Sequence, residues 1–486
     1  MDIQSRNKFL LEQSQDLSRL EKVGIWIHEH PITVKILKVA ALILGVGLLL
    51  SLQFATLITG VVVGLTITGI LLILASSVAL LFLNIIVPPH HDMKNHLYKP
   101  GQCDGGKLYY EGDVPILSLD YDDHFKAGKA HGYLCGDAIN RLSKRFEFVL
   151  HTLDGQPRAN KLPNTLLKMR QLIPPEYLLE MEGLVEGYNQ WANERYWWQT
   201  SKKLTVDDVL LFHLIPDSLH FKAEAFEGVR AAAVISQHAI ACSVIVDRDP
   251  QNGFVFARNM DWPSFGLAGA YTLVINRKHH NILHNTIEVG VPGFVGTLTG
   301  MNSKSLSVAM NVCSGNTIDM NGMPASLYNR VCLERCQNVG DVEAFANNNS
   351  PLGAYHLTVA DRTRAESIHF YQSPEDAHLT RHWEEDHPLS TLNCRYNPNP
   401  NSAMHHSIER QERIDDFFQH RGDRPLEDVL SLRFVNNWIT THRVVMEPQA
   451  MRFRVAFDNA FAGKATLHEV PSQKLLSKSE LQMFIE

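Results

Sequence analysis

The sequence carries no surplus of basic charge: 45 Lys and Arg stand against 52 Asp and Glu, a net charge of −7. A protein held to nucleic acid through phosphate contacts shows the opposite balance, so nucleic acid is not an expected partner. Cysteine is also scarce. Seven thiols scattered over 486 residues cannot staple a small secreted scaffold, and the odd count leaves at least one of them free. Several recurrent chemical motifs are missing: there is no phosphate-cradling glycine loop ending in Lys-Ser/Thr, no HExxH and no GxSxG. There is no internal repeat.

The most informative absence is local. From Val39 to Val87 there is not one Asp, Glu, Lys, Arg or His in 49 residues. One straight helix of that length would run about 74 Å, whereas a bilayer's hydrocarbon core is about 30 Å thick. The block therefore reads as a transmembrane helical hairpin over residues 32–87, with spans of 33–53 and 61–87 and a turn near Ser51–Gln53 or Gly60. It begins too late and runs too long for a secretory signal. Lysine and arginine flank both ends (Arg6, Lys8, Arg19, Lys22, Lys35 and Lys38 before it; Lys94, Lys99 and Lys107 after it), and the turn carries none. Everything after residue 88 is accordingly expected on the cytoplasmic side, where thiols stay reduced. Residues 1–31 place Phe9, Leu10, Leu17, Leu20, Val23 and Ile25 among charges, as an amphipathic segment does on a bilayer surface or against the soluble part of the chain. The lipid bilayer is thus an expected partner. Residues 88–110, rich in Pro, His and Gly, read as a linker.

Two textures follow. Residues 111–241 read as mostly helical, from AINRLSKRFEFVLHTL through NTLLKMRQLI to PPEYLLEMEGLVEGYNQWANE, whose paired prolines suit a helix start. Residues 242–486 alternate β-branched runs (CSVIVD, FVFARNMDW, AYTLVINR, FVGTLTGM, LSVAMNV, YHLTVAD, SIHFYQS, MRFRVAFDN) with helical stretches such as SLYNRVCLERCQNV. The fold class is therefore α+β, and NCRYNPNPNSAMHH reads as an exposed loop. The histidine pairs His90–His91, His279–His280 and His405–His406 read as surface residues, because adjacent side chains on a strand point to opposite faces. Cys332 and Cys336 share a helix face with no second Cys/His pair at zinc spacing, which suits core packing. No metal site and no cofactor are expected.

One segment carries a chemical argument. In CSVIVDRDPQNGFVFARNMDW, residues 242–262, two strand-like runs flank the turn signal DPQNG. A hairpin there pairs positions summing to about 502, which sets Cys242 opposite Met260 and brings Arg258 and Asp261 beside the thiol. Alternation puts 258 and 261 on opposite faces, so one of them must lie at a strand end or a bulge. A guanidinium near a cysteine favours thiolate, and a carboxylate can orient an amine. By spacing alone, an ordinary buried cysteine on a core strand fits as well.

The segment resembles the start of the catalytic chain in the N-terminal-nucleophile cysteine amidohydrolases, the family of choloylglycine hydrolases, acid ceramidase, N-acylethanolamine acid amidase and the penicillin acyltransferases. There a Cys opens the mature chain, with Arg sixteen and Asp nineteen residues later in an RNxDW-type motif. Cys242, Arg258 and Asp261 keep both intervals, with Asn259 and Trp262 completing the motif. GFVGTLTGMNSKSLSVAMN is similar to the family's glycine-rich segment and ends on Asn311. LSTLNCRYNP is similar to a later T-N motif, matching Asn393 to an oxyanion position. HSIERQERI matches a serine-x-x-arginine pattern at Arg410, with Arg413 as the alternative. Upstream, LLEMEGLVEGYNQW looks like the E-x-x-G-x-x-E-G helix of the ceramidase and acyltransferase branch.

The resemblance implies a four-layer αββα sandwich behind the hairpin, self-cleavage between Ala241 and Cys242, and α and β chains that stay associated. An internal cysteine has only an amide nitrogen beside it. The cut frees an α-amine whose ordinary pKa of roughly 7.7–8 suits a base for the same thiol. The implied roles are nucleophile and base for Cys242, thiol polarisation for Arg258, amine binding for Asp261, oxyanion donation for Asn311 and Asn393, and a structural or substrate-side role for Arg410. Trp262 is a candidate substrate contact. A membrane hairpin beside such a site suggests N-acyl lipids as substrates. An acyltransferase of the same fold, a papain-like thiol hydrolase built on Cys135 and a non-catalytic membrane scaffold are the other readings.

Overall fold

The computed structural model describes residues 98–144, 170–195, 203–214, 216–217, 242–262, 267–280, 283–313, 319, 321–371, 378–385, 387–393, 406–437, 439–457 and 462–477. The amphipathic segment, the hairpin at 32–87, Ala241 and nearly all of the NCRYNPNPNSAMHH loop lie outside them. Among the described residues no helix is long and apolar enough to cross a membrane.

In chain order the strands are β1 (Gly101–Cys103), β2 (Gly106–Glu111), β3 (Val114–Tyr121), β4 (Ser243–Asp249), β5 (Gly253–Asp261), β6 (Leu273–His279), β7 (Thr286–Gly290) and β8 (Thr299–Asn302). They continue with β9 (Ser307–Val312), β10 (Tyr355–Ala360), β11 (Ala365–Phe370), β12 (His378–His382), β13 (Leu389–Thr391), β14 (Thr440–Glu447), β15 (Arg452–Phe457) and β16 (His468–Val470). Ten of them form one sheet in the order β1-β2-β3-β6-β7-β8-β9-β10-β11-β12, and six form a second in the order β13-β4-β5-β14-β15-β16. The helices are α1 (His124–Leu134), α2 (Pro175–Arg195), α3 (Val206–His213), α4 (Leu267–Tyr271), α5 (Ala325–Arg335), α6 (Val339–Asn348), α7 (Ser407–Gln419) and α8 (Ser472–Leu476).

Strand alternation explains how these pieces stack. Val244, Val246, Phe254, Phe256, Val444 and Met446 pack against Ile116, Val274, Ile287 and Ala309 of the larger sheet. Their neighbours Ile245, Val255, Ala257 and Val445 face the other way, onto Ile414 and Phe417 of α7 and Val429 and Leu430 of a 3-10 turn. On the larger sheet, Leu117, Leu119, Leu273, Ile275, Val308 and Met310 turn outward against α1, α2, α3 and α5. The central strands of both sheets are therefore buried on both faces, which is why they read as continuous apolar runs rather than strict alternations. The result is the expected αββα sandwich.

Two sequence expectations are corrected here. The stretch read as a linker at 88–110 contains β1 and most of β2, joined by Asp104 and Gly105, both at positive φ. Together with β3, which lies at the start of the part expected to be helical, they make a three-stranded meander. His279 is not a surface residue: it is 1% exposed and paired with Glu334. Cys332 and Cys336 are buried in the core, as expected.

Helices α1 and α2 cross at a separation only glycine allows. A Cβ on Gly128 or Gly132 would fall within about 2 Å of the Glu180 or Leu184 carbonyl oxygen, and one on Gly183 or Gly187 would meet Phe125 or Lys129 in the same way. The glycines of the E-x-x-G-x-x-E-G helix thus answer a GxxxG on α1, backbone against backbone.

Candidate active site

The DPQNG turn sets the register of the β4–β5 hairpin. Ser243 pairs with Asn259 and Val244 with Arg258, so the sum of 502 holds and Cys242 enters β4 opposite Met260. Arg258 shares its face with Phe254 and Phe256, directed between the sheets. Its Nη2 lies 3.7 Å from Cys242 Sγ, and its Nη1 donates to the Leu298 carbonyl at 3.1 Å. Burial pushes the Cys242 thiol up, and the Arg258 cation opposes this without cancelling it. Burial thus holds Cys242 on the thiol side.

Asp261 reaches the same point differently. It is the last residue of β5, and β14 bulges beside it: Thr440 pairs with Asp261 and His442 with Met260, leaving Thr441 as the extra residue. The Asp261 backbone oxygen lies 4.0 Å from Cys242 Sγ. Its carboxylate accepts from the Thr440 hydroxyl at 2.5 Å and from Asn437 Nδ2 at 2.7 Å. Burial raises this carboxyl from 3.8 to about 7, against the lowering effect of Thr440, Arg410 and Asn437. A pKa raised on folding means that the folded chain binds this proton more tightly. Asp261 thus contributes its stability fully below about pH 3.8 and loses it as pH rises through about 7.

The later candidates gather on the Cys242 main chain. Arg410 donates from Nη1 to the Cys242 carbonyl at 2.6 Å and to Ser243 Oγ at 2.9 Å, and from Nη2 to Asn393 Oδ1 and Ser407 Oγ. The serine-x-x-arginine spacing places Ser407 one helical turn before the guanidinium it receives. Arg413 is exposed, which removes it as the alternative. Asn311 donates to Thr391 O at 2.7 Å and to Cys242 O at 3.4 Å, and Asn393 donates to Val312 O at 2.7 Å. Both amides expected at an oxyanion are thus engaged with main-chain carbonyls, and one of those that Asn311 holds is the carbonyl of Cys242 itself. Trp262 is half-buried at the rim of the larger core. Cys135, proposed nucleophile of the papain-like reading, is 1% exposed within that core, and burial pushes its thiol well up. That site can supply no reactive thiolate.

Several residues of the site were not singled out from sequence. Asn437 and Thr440 hold Asp261 from 176 and 179 positions away, and the only signal was a polar run, NNWITTH, bordering an apolar strand. Asn259, which the sequence names only as completing the motif, points to the opposite face from Arg258 and donates to Leu430 O and Val435 O, fixing the turn that leads to Asn437. His442, buried beside Arg258, is kept neutral by burial and by that cation.

Removing one donor from Asp261 should be visible in the pH profile. Thr440→Val is expected to raise the Asp261 pKa further and move the acid limb of kcat/KM upward by about one pH unit. An unmoved limb in the folded variant would separate Asp261 from the rate.

Residues 248–431 match the family described as Acyl-coenzyme A:6-aminopenicillanic acid acyl-transferase. The matched stretch opens six residues after Cys242 and takes in Arg258, Asp261, Asn311, Asn393 and Arg410. No curated protein sequence matches the chain. Among solved structures, the Caenorhabditis elegans ortholog of N-acylethanolamine-hydrolyzing acid amidase is 17% identical, with a TM-score of 0.36 over 47% of this chain and 100% of its own. A mutant of conjugated bile acid hydrolase from Clostridium perfringens is 14% identical, with a TM-score of 0.32 over 49% of this chain and 99% of its own. Over residues 248–431 the chain is therefore similar to the acyltransferase branch of the N-terminal-nucleophile cysteine amidohydrolases.

Proposed function

We propose that the chain is a membrane-anchored, self-cleaving thiol amidohydrolase of N-acyl lipids. The observation that carries the reading is the three-sided hold on Cys242, with Arg258 at its sulfur and Arg410 and Asn311 at its carbonyl. In the first reaction Cys242 Sγ attacks the Ala241 carbonyl carbon, the peptide C–N bond breaks as a C–S bond forms, and water hydrolyses the thioester. The freed α-amine then takes the thiol proton. Sγ attacks a substrate amide, the amine product leaves with that proton, and a second water releases the acyl group. Asp261 holds the ammonium. The second N–H of Asn393 serves the oxyanion, a contribution on the order of 10²–10³ in rate.

Anchoring rests on the uncharged stretch 39–87, and N-acyl lipids are the amides such an anchor brings nearest. An acyltransferase is the second reading, favoured by the description of the family that residues 248–431 match. Intact-mass analysis of the purified chain with a short-chain N-acylethanolamine or ceramide in micelles tests the mechanism. The expected result is a chain beginning at Cys242 that carries an acyl group labile to hydroxylamine. Turnover by an uncut chain would sink the proposal, and transfer of the acyl group to an added amine faster than to water would favour the second reading. For the anchor, alkaline carbonate should leave the full chain in the membrane pellet and release a chain begun at residue 88.

A further inference from the structure

Between β7 and β8 the loop 291–298, VPGFVGTL, is held by hydrogen bonds to its backbone from both sides of the proposed cut. Downstream residues take one set: Arg330 and Arg277 donate to the Val295 carbonyl at 2.9 and 3.2 Å, and Thr297 N–H donates to Ser326 O at 2.9 Å. Upstream histidines take the other. Gly293 N–H donates to His131 Nε2 at 3.1 Å, while Val295 N–H and Gly296 N–H both donate to His213 Nε2 at 2.6 and 3.2 Å. The far end of the loop is the Leu298 carbonyl, which receives the Arg258 guanidinium.

The state of His213 is fixed by its neighbours. Its Nδ1 lies 2.7 Å from Val209 O and must donate there, which leaves Nε2 as the acceptor of two N–H groups in a neutral ring. The ring stacks on Phe294, centroids 4.4 Å apart and planes within 5°. A Cβ on Gly296 would come within 2.9 Å of the Ser326 main chain, so no other residue lets the loop settle this close to α5.

We infer that His213, seconded by His131, is a positioning residue of the active site: it clamps loop 291–298 so that Leu298 O holds Arg258 against the Cys242 thiol. The segment before the cut is then a standing part of the mature site rather than a discarded leader. This rests on the reading of Cys242 as nucleophile. The physical lever is the two buried N–H groups that converge on one nitrogen. Without their acceptor each is left unsatisfied, and the loop must shift to find another.

The test uses the full chain and the variants His213→Phe, which keeps the stack on Phe294 but accepts nothing, and His213→Gln, which returns an acceptor. Two readouts are taken: the pH profile of Cys242 alkylation by iodoacetamide, followed by mass spectrometry on the Cys242 peptide, and kcat against KM. Groups near the thiol (Arg258, Asp261, Arg410 and His442) are unchanged in every variant. His213→Phe is expected to raise the apparent thiol pKa by about one unit and to lower kcat by roughly 10–100-fold with KM within about twofold. His213→Gln should restore most of both. A folded His213→Phe protein with the wild-type profile and kcat overturns the inference, as does a change in KM alone. Should His213→Phe fail to accumulate, His131→Leu removes the Gly293 acceptor, and an unmoved profile there is equally fatal. A wild-type chain that never alkylates at Cys242 would instead refute the nucleophile assignment, so the two failures are distinguishable.

Discussion

Cys242→Ala is expected to leave a single uncut chain of 486 residues, where the wild type is expected to run on a denaturing gel as pieces of 241 and 245 residues. Amide turnover should fall by at least about 10⁴-fold, since no other described thiol can replace the nucleophile. Among the described cysteines, Cys135, Cys313, Cys332 and Cys336 are buried, and Cys103 lies on β1 in the upstream meander. The substitution removes one sulfur and leaves the backbone hold intact, because Arg410 and Asn311 grip the Cys242 carbonyl rather than its side chain. The variant should therefore fold normally, and its near-UV dichroism should match that of uncut wild type. Cleavage that persists in this variant would place the self-processing chemistry elsewhere.

Arg330→Met should be the most destabilising of these substitutions, by about 3–5 kcal/mol, because it removes one partner from a buried ion network. Arg330 donates to Glu180 at 2.6 Å and to Glu334 at 2.8 Å, all three side chains being essentially inaccessible to water. Burial pushes the Glu180 carboxyl up, but Arg330, then Arg277 and His124, outweigh it and hold it well below the usual carboxylate range. Glu334 is likewise held far down, with Arg330 and then His279 overcoming its burial. Both carboxylates therefore contribute stability above about pH 4.5 that is lost as pH falls through their depressed folded values. Without Arg330 that contribution shrinks, since burial is then opposed by Arg277 and His124 at Glu180 and by His279 at Glu334, and both carboxyls become easier to protonate when folded. The deficit measured by urea unfolding should thus be larger at pH 8 than at pH 5. An equal deficit at both would mean that shape, not charge, is what Arg330 supplies.

The Cys242 hairpin was legible because a single local signal fixed its register. DPQNG sets the pairing sum, and Cys242, Arg258 and Asp261 then fall together without knowledge of the rest of the chain. What holds Asp261 was not legible, since Thr440 opens β14 and Asn437 lies just before it, 179 and 176 positions from Asp261, and no spacing relates them to the hairpin. The β1–β2 hairpin was misread for a different reason. Composition pointed to a linker, but Asp104-Gly105 is itself a turn signal for a two-residue hairpin, and it outweighs the prolines that precede it. His279 was judged by its neighbour rather than by its face: on β6 its side chain meets the Glu334 carboxylate of α5 inside the core. The glycines of α2 were recognised as a motif without their cause, which lies in the carbonyls of α1.

Strand β3 pairs in parallel with β6 along Ile116–Tyr121 and Val274–His279, so one continuous sheet spans both sides of the Ala241–Cys242 bond. Cutting that bond changes the order of the folding reaction. Before it, unfolding is unimolecular; afterwards the unfolded state is two separate molecules that must find one another. The melting temperature of the mature enzyme should accordingly depend on protein concentration, while that of the uncut Cys242→Ala chain should not. Refolding of the mature form becomes a second-order encounter, slow when dilute. Self-cleavage would then act as a one-way step in the life of the protein: it switches the enzyme on and at the same time gives up the tether that makes recovery from unfolding fast.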